Sequence, residues 1–236
     1  MKLERRYALT IVGGKGERLK PLTDHLPKPM VKINKIPILE HQVNWMKSQG
    51  ITDVIFLCGY LGEKIQEHFG DGSKFGIKAK YYFEKSPLGR GGAIKKGMDF
   101  VPSKTNILVT NGDIITNQEI NPIIDSHIKN KVMCTLMLVP YISQYGVVIN
   151  DKDDYIISFD EKGKLPYWIN AGVYIMNSSI KNLLPDIGDH ENTTFVSLAK
   201  EKKLFGFKSE KIWSSIESIK DLLEIENKFK NGELRI

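Results

Sequence analysis

Cysteine is nearly absent. The chain has 236 residues and two cysteines, Cys58 and Cys134. Both sit in apolar runs, so buried reduced thiols are expected and a disulfide framework or cysteine metal site is excluded. Long apolar runs are also missing. None approaches the roughly 20 residues that span a bilayer, so membrane insertion is not expected. The opening Met-Lys-Leu-Glu-Arg-Arg carries no signal-peptide core, and a cytoplasmic location is the expectation. No repeat, low-complexity tract or Pro/Gly linker divides the chain, which favours one domain over 1–236. Positive charge is not concentrated either. The net charge is +6, but the lysines are scattered and no stacking aromatics accompany them. That balance suits an anionic small substrate and argues against a nucleic-acid partner.

What is present is an alternation of periods. Strand-like runs cover 7–12, 53–58, 79–83, 106–110 and 132–139. Helix-like runs cover 36–49, 61–69, 91–100 and 119–129. That order predicts right-handed crossovers and an α/β, Rossmann-like, mostly parallel mixed sheet flanked by helices. The rhythm changes after Pro140. Short strands at 146–149, 155–159 and 170–176 follow, then helices at 178–184 and 219–230. The expectation is a nucleotide-binding half (1–140) and a β-rich acceptor-side half (141–236).

The first strand runs into Val12-Gly-Gly-Lys-Gly-Glu-Arg18, and Pro27-Lys-Pro29 follows. Gly13, Gly14 and Gly16 let backbone N–H groups approach phosphate oxygens, and Lys15, Arg18 and Lys28 add charge. A Walker A run is missing, and the dinucleotide fingerprint fails because Leu19 stands where it needs glycine. Asp113 ends the strand-like Val109-Thr-Asn-Gly-Asp113, a good place for a carboxylate to hold Mg²⁺ against phosphates; a helix cap is the plainer alternative. Glu84 follows another strand, and a carboxylate can accept two N–H bonds from the Watson–Crick edge of guanine; a surface glutamate is the plainer alternative.

These motifs together resemble the sugar-1-phosphate nucleotidyltransferases. The resemblance rests on residues 13–23 with Pro27-Lys-Pro-Met30, then Ile36-Pro-Ile-Leu-Glu40, Glu84-Lys-Ser-Pro-Leu-Gly89, Asn111-Gly-Asp113, Tyr145-Gly-Val-Val148, Glu161-Lys162 and Ile169-Asn-Ala-Gly172. In motif form it is nearest to the mannose-1-phosphate guanylyltransferase-like members. It implies transfer of a nucleoside monophosphate from an NTP, with GTP favoured, to a mannose- or heptose-type sugar 1-phosphate. The cofactor implied is Mg²⁺, and homo-oligomers are compatible with it. Arg18, Lys28, Asp113 and Lys162 become the catalytic candidates. Gly13, Gly14, Lys15, Gly16, Glu84, Gly89 and Asn111 would bind the nucleotide; Gly146, Glu161, Asn170 and Gly172 would bind the sugar. Tyr145 and Trp168 would line its pocket or simply pack.

Three positions depart from the pattern. Glu17 places an acid near the triphosphate. Arg90-Gly91 replaces a small pair. Ser215 stands where the family carries a second metal-binding aspartate, and Glu217 is the candidate to replace it. That last departure keeps two alternatives open: a cytidylyl- or uridylyltransferase on another sugar 1-phosphate or phosphorylated acceptor, and a non-catalytic nucleotide-sugar-binding regulator.

Overall fold

The computed structural model describes residues 5–235; the expectation placed on the first residues of the chain falls largely on 1–4, outside the described residues. The first strand is β1 (Tyr7–Ile11). After the glycine loop come a small hairpin, β2 (Lys32–Ile33) and β3 (Ile36–Pro37), and then α1 (Ile38–Ser48), β4 (Asp53–Cys58), α2 (Gly62–Phe69) and β5 (Lys78–Phe83). Next are α3 (Gly89–Gly97), β6 (Asn106–Asn111), β7 (Ile114–Thr116), α4 (Ile120–Asn130) and β8 (Cys134–Ile142). The second half holds β9 (Val147–Asn150), β10 (Ile156–Asp160), β11 (Lys164–Asn177), α5 (Thr194–Lys200), β12 (Leu204–Lys208), β13 (Trp213–Ser215) and α6 (Ile219–Lys230).

Seven strands form the main sheet in the order β12-β8-β11-β6-β1-β4-β5. β1 pairs in parallel with β4 and β6, β4 with β5, and β12 with β8; β11 alone runs antiparallel to its neighbours β6 and β8. The sheet is therefore mixed and mostly parallel, as expected. Its central strands are apolar because both faces are covered: β4 is buried at every position. One face packs Val43, Met46, Ile65 and Ile123 from α1, α2 and α4 over Phe56 and Leu108. The other packs Ile94 and Leu198 from α3 and α5 over Leu9, Val109 and Tyr174. A third cluster joins Leu19, Ile33, Ile38 and Ile115 to Ile216, Leu222 and Ile225, so α6 returns to the first half of the chain.

Several boundaries differ from the sequence reading. The helix expected over 36–49 starts two residues later, because Ile36–Pro37 pairs as β3 with β2. The turn at Ser178–Leu183 is 3₁₀ rather than α, capped by the Asn177 side chain on Ser179 N–H. The strand expected over 170–176 is part of a fourteen-residue strand, with one register shift between Lys164 and Trp168 and another between Asn170 and Tyr174, where Gly172 adopts φ +69°. β7, α5, β12 and β13 carry no expectation from the sequence.

Candidate active site

The chain leaves β1 for β4 and β5 on one side, then crosses to β6 on the other. In such a sheet ligands collect at the carboxyl ends of the strands where the order reverses. Here that point lies between Ile11 and Asn111, where Gly112 N–H donates to the Ile11 carbonyl at 2.8 Å. A cleft of about 220 Å³ opens there, lined by Gly14, Lys28, Arg90, Asn111, Asp113 and Glu217.

Each cleft residue is held by local structure. Gly16 has φ +66°, and a Cβ on it would lie 2.7 Å from Lys28 Cβ, so only glycine lets the loop wrap this lysine. Asp113 follows β6, and its carbonyl accepts Ile216 N–H at 3.0 Å. That bond, with the β13–β7 pairing of Ser215 to Ile114, brings the distant Glu217 to Asp113. Glu217 directly precedes the cap of α6. Its own N–H donates to Asp221 Oδ2 at 2.9 Å, within a capping box made by Ser218 and Asp221.

Lys28 Nζ lies 2.6 Å from both Asp113 Oδ2 and Glu217 Oε2. Its side chain is 10% exposed, so the ammonium depends on these two carboxylates for solvation. Arg18 reaches the same Glu217 Oε2 at 2.6 Å, but its side chain is 73% exposed and can turn to a ligand. The Ser215 hydroxyl donates to Glu217 Oε1 at 3.2 Å. The residue at the aspartate position thus supports the acid two places on. Glu17 is exposed, as is Lys15.

Glu84 sits at the rim. Its Oε2 accepts Leu88 N–H at 3.1 Å, and its Oε1 lies close to Gly13 and Gly59, where a Cβ on Gly59 would come within 2.6 Å. The glycine of Pro-Leu-Gly89 packs against the Gly188 backbone. Arg90 is part-exposed but not free. It is paired with Asp189 and, at 2.8 Å, with Glu191. Burial opposes its charge, but the Asp189 hydrogen bond and the field of Glu191 outweigh that and raise its pKa. Glu191 also accepts from Asn170 Nδ2 at 2.8 Å and from the Tyr174 hydroxyl at 3.1 Å. Burial, followed by the nearby Glu191, drives the Tyr174 pKa well up, so this hydroxyl stays a donor.

The expected sugar residues are less gathered. Asn170 is held in that network and accepts Gly172 N–H at 3.0 Å. Gly172 faces Asn111, whose Nδ2 would lie 2.6 Å from a Cβ there. Gly146 is covered by the Phe159 ring, 2.5 Å from a Cβ at that position. Glu161 and Tyr145 are exposed. Trp168 lies under the Lys164 and Lys208 ammonium groups. Lys162 lies outside the Asp113 cleft. It lines a neighbouring groove of about 550 Å³ with Trp213, Ser215 and Glu224, and stands 3.9 Å from Glu224 Oε1. Asp189 and Glu191 went unread in the sequence, although Asp-His-Glu after Gly188 is a local charge signal.

Among the described residues no group of three or more His, Cys, Asp or Glu side chains is placed to hold a metal. Mg²⁺ in phosphoryl-transfer sites needs one or two carboxylates and takes its remaining ligands from phosphates and water. Asp113 and Glu217 meet that requirement. Asp113 Oδ1 is buried without a hydrogen-bond partner, and Oδ2 converges with Glu217 on one point. The residues present therefore fit the ion.

Residues 7–232 match the family model described as nucleotidyl transferase. The chain belongs to the nucleotidyl transferase family. This nucleotidyltransferase is 38% identical over 200 residues to the D-glycero-alpha-D-manno-heptose 1-phosphate guanylyltransferase of Campylobacter jejuni, covering 84% of this chain and 87% of that protein. It is 31% identical over 224 residues to the mannose-1-phosphate guanylyltransferase of Mycobacterium tuberculosis, covering 92% of this chain and 62% of that longer one. Among solved structures, HddC from Yersinia pseudotuberculosis superposes with a TM-score of 0.76 at 25% identity, over 95% of this chain and 99% of HddC. The fold of the nucleotidyltransferase is thus the family's, and its cleft combines a glycine loop, two cations and two carboxylates.

Proposed function

We propose that this nucleotidyltransferase uses GTP and a mannose- or heptose-type sugar 1-phosphate, releasing pyrophosphate and the GDP-sugar. The observation that carries the reading is the meeting of Lys28, Arg18, Asp113 and Glu217 beside the glycine loop at the β1–β6 crossing point. The guanine preference is supported by Glu84, positioned by Leu88 N–H at the mouth of the loop, and by the guanylyltransferase names of the two relatives.

In the proposed reaction a phosphate oxygen of the sugar attacks the α-phosphorus in line. The new P–O bond forms as the bond to the bridging oxygen breaks, and the electron pair leaves with pyrophosphate. Catalysis is then positioning and charge stabilisation. Arg18, exposed and free to turn, holds the β- and γ-phosphates. Lys28 serves the α-phosphate, and Lys162 the sugar phosphate from the adjoining groove. Glu161, Asn170 and the backbone at Gly146 and Gly172 meet the sugar. A Mg²⁺ held by Asp113 and Glu217 would polarise phosphoryl oxygens and offset their charge. The nucleotide half (1–140) then receives one essential acid, Glu217, from the acceptor half (141–236).

The test is pyrophosphate release, crossing GTP, CTP, UTP, dTTP and ATP with mannose, heptose, glucose and glucosamine 1-phosphates. Turnover with GTP and a manno-configured sugar is the expected result. Turnover confined to CTP or UTP would replace the base assignment. Silence with tight nucleotide-sugar binding would favour a regulatory relative.

Self-association belongs to the same proposal. The β9–β10 ribbon pairs with no other strand of the described sheets, and its Tyr155 and Phe159 are 73% and 66% exposed, with Ile149, Ile156 and Ile157 beside them. Successive strand residues alternate in direction, so Ile157 and Phe159 share one face of the ribbon and Ile156 with Ile149 the other. An exposed apolar face on an unpaired two-stranded ribbon suits a second copy of this chain. Sedimentation should show a dimer or larger assembly, and Ile157→Asp should shift it to monomer.

A further inference from the structure

Lys28 is the most enclosed cation of the site, and its contacts are unusual for a phosphate ligand. Its Nζ is 2.6 Å from Asp113 Oδ2 and 2.6 Å from Glu217 Oε2. These are the two carboxylates that fit a divalent cation. The oxygens of both acids that face one another meet at the ammonium, while Asp113 Oδ1 stays buried and unpartnered. A divalent cation entering between them would meet a full positive charge 2.6 Å from each carboxylate, on a lysine side chain only 10% exposed.

We propose that Lys28 and the divalent cation are alternative occupants of the Asp113–Glu217 pair, and that the triphosphate exchanges them. The inference rests on the assignment of Asp113 and Glu217 to the cation. The incoming phosphates offer the ammonium a new partner. Lys28 leaves the carboxylates for the phosphate, and the pair becomes available to the cation. Nothing covalent changes, and the charge stays balanced: the ammonium moves with its positive charge onto the polyanion as the cation takes the two carboxylates. Arg18 and the Ser215 hydroxyl hold Glu217 Oε2 and Oε1, so its carboxylate stays at the site when Lys28 leaves. The device makes cation and nucleotide binding mutually reinforcing, and such coupling is reciprocal by necessity. A protein loaded with cation alone, holding a carboxylate pair already satisfied, is avoided.

The test uses Mn²⁺ as the probe and free Mn²⁺ by electron paramagnetic resonance as the readout, without nucleotide. Lys28→Met should bind Mn²⁺ at least about fivefold more tightly than the unsubstituted protein, the lower end of ordinary coupling between sites. Equal or weaker binding by a folded Lys28→Met protein overturns the exchange. Asp113→Asn separates this from failure of the cation assignment. If Asp113→Asn weakens Mn²⁺ binding while Lys28→Met does not tighten it, the exchange alone is wrong. If Asp113→Asn has no effect in either background, the cation assignment itself has failed. Should Lys28→Met not fold, the Lys28 ammonium can be followed by ¹H–¹⁵N NMR in the unsubstituted protein. Its proton exchange with water should accelerate as Mg²⁺ saturates the site; unchanged protection at saturation overturns the proposal.

Discussion

The arginine and the glutamate of this cleft can be separated by what each removal costs. Arg18 is held by one exposed ion pair to Glu217, which contributes little to folding. Arg18→Ala is therefore expected to leave the thermal midpoint nearly unchanged while turnover falls by about 10²–10³, the scale of losing one donor to a developing anion. Steady-state pyrophosphate release together with a thermal melt checks both halves. Near-normal turnover removes Arg18 from the mechanism. Glu84→Gln keeps an acceptor for Leu88 N–H but loses the second acceptor oxygen that a guanine edge requires. It should lower kcat/KM for GTP more than for the other nucleotides. An equal loss across all of them refutes base reading at this position. Arg90 is the second of the three departures from the family pattern. Its side chain does line the cleft, but two carboxylates hold it. Their partners lie about a hundred residues on, which is why no local pattern announced them.

At the scale of elements, α6 matters more for where it begins than for its length. The Ser218–Asp221 capping box fixes the first turn, and Asp221 also holds the Glu217 N–H. Ser218→Ala should cost about 1 kcal/mol, the usual penalty for a lost cap. It should also lower turnover, since Glu217 loses its anchored neighbour. Denaturant titration and initial rates measure the two effects; a stability loss with full activity would show that the cap does not position Glu217. The elements that the sequence announced are those with a clear period. Leu39, Val43 and Met46 mark α1, and the continuous apolar run over 53–58 marks β4. Those it did not announce are short. β7 and β13 have three residues each, and β12 is Leu-Phe-Gly-Phe-Lys, interrupted by a glycine that Leu138 packs against. Strands of this kind exist because a partner edge is waiting for them, and a partner edge is invisible to local periodicity.

For the molecule as a whole, the packing around α5 carries a pH dependence. His190 is fully enclosed between Tyr174 and Phe195, and neither ring nitrogen has a hydrogen-bond partner. Burial drops its pKa to about 4, although Glu191 and Asp189 pull it upward and Arg90 adds to the drop. An unfolded histidine takes its proton near pH 6.5. Between there and about pH 4 the unfolded chain holds a proton that the folded one does not. Stability is therefore fully present above 6.5 and falls as the pH drops through that window, by about 3 kcal/mol at the full extent of the shift. Melts of the unsubstituted protein and of His190→Leu from pH 7.5 to 4.5 check this. The variant should lose most of the slope; parallel curves would assign the acid sensitivity elsewhere. No helix among the described residues is long and apolar enough to cross a membrane.

By itself the sequence determined the α/β order, the mostly parallel sheet and the glycine loop with Lys28 and Asp113. Each of these is a local matter: apolar period, glycine at a strand end, charge beside it. Tertiary structure decided which of the candidate residues meet. Lys28, Asp113 and Glu217 are joined across 85 and 189 residues by β13 docking on β7 and α6 closing on the first half. It also decided that Lys162 lies one groove away and that Gly146 is covered by Phe159. Local periods fix which face of an element is buried. Which charge is satisfied by which is fixed by the packing of elements far apart in the chain, because a buried ammonium is stable only where distant carboxylates are brought to it.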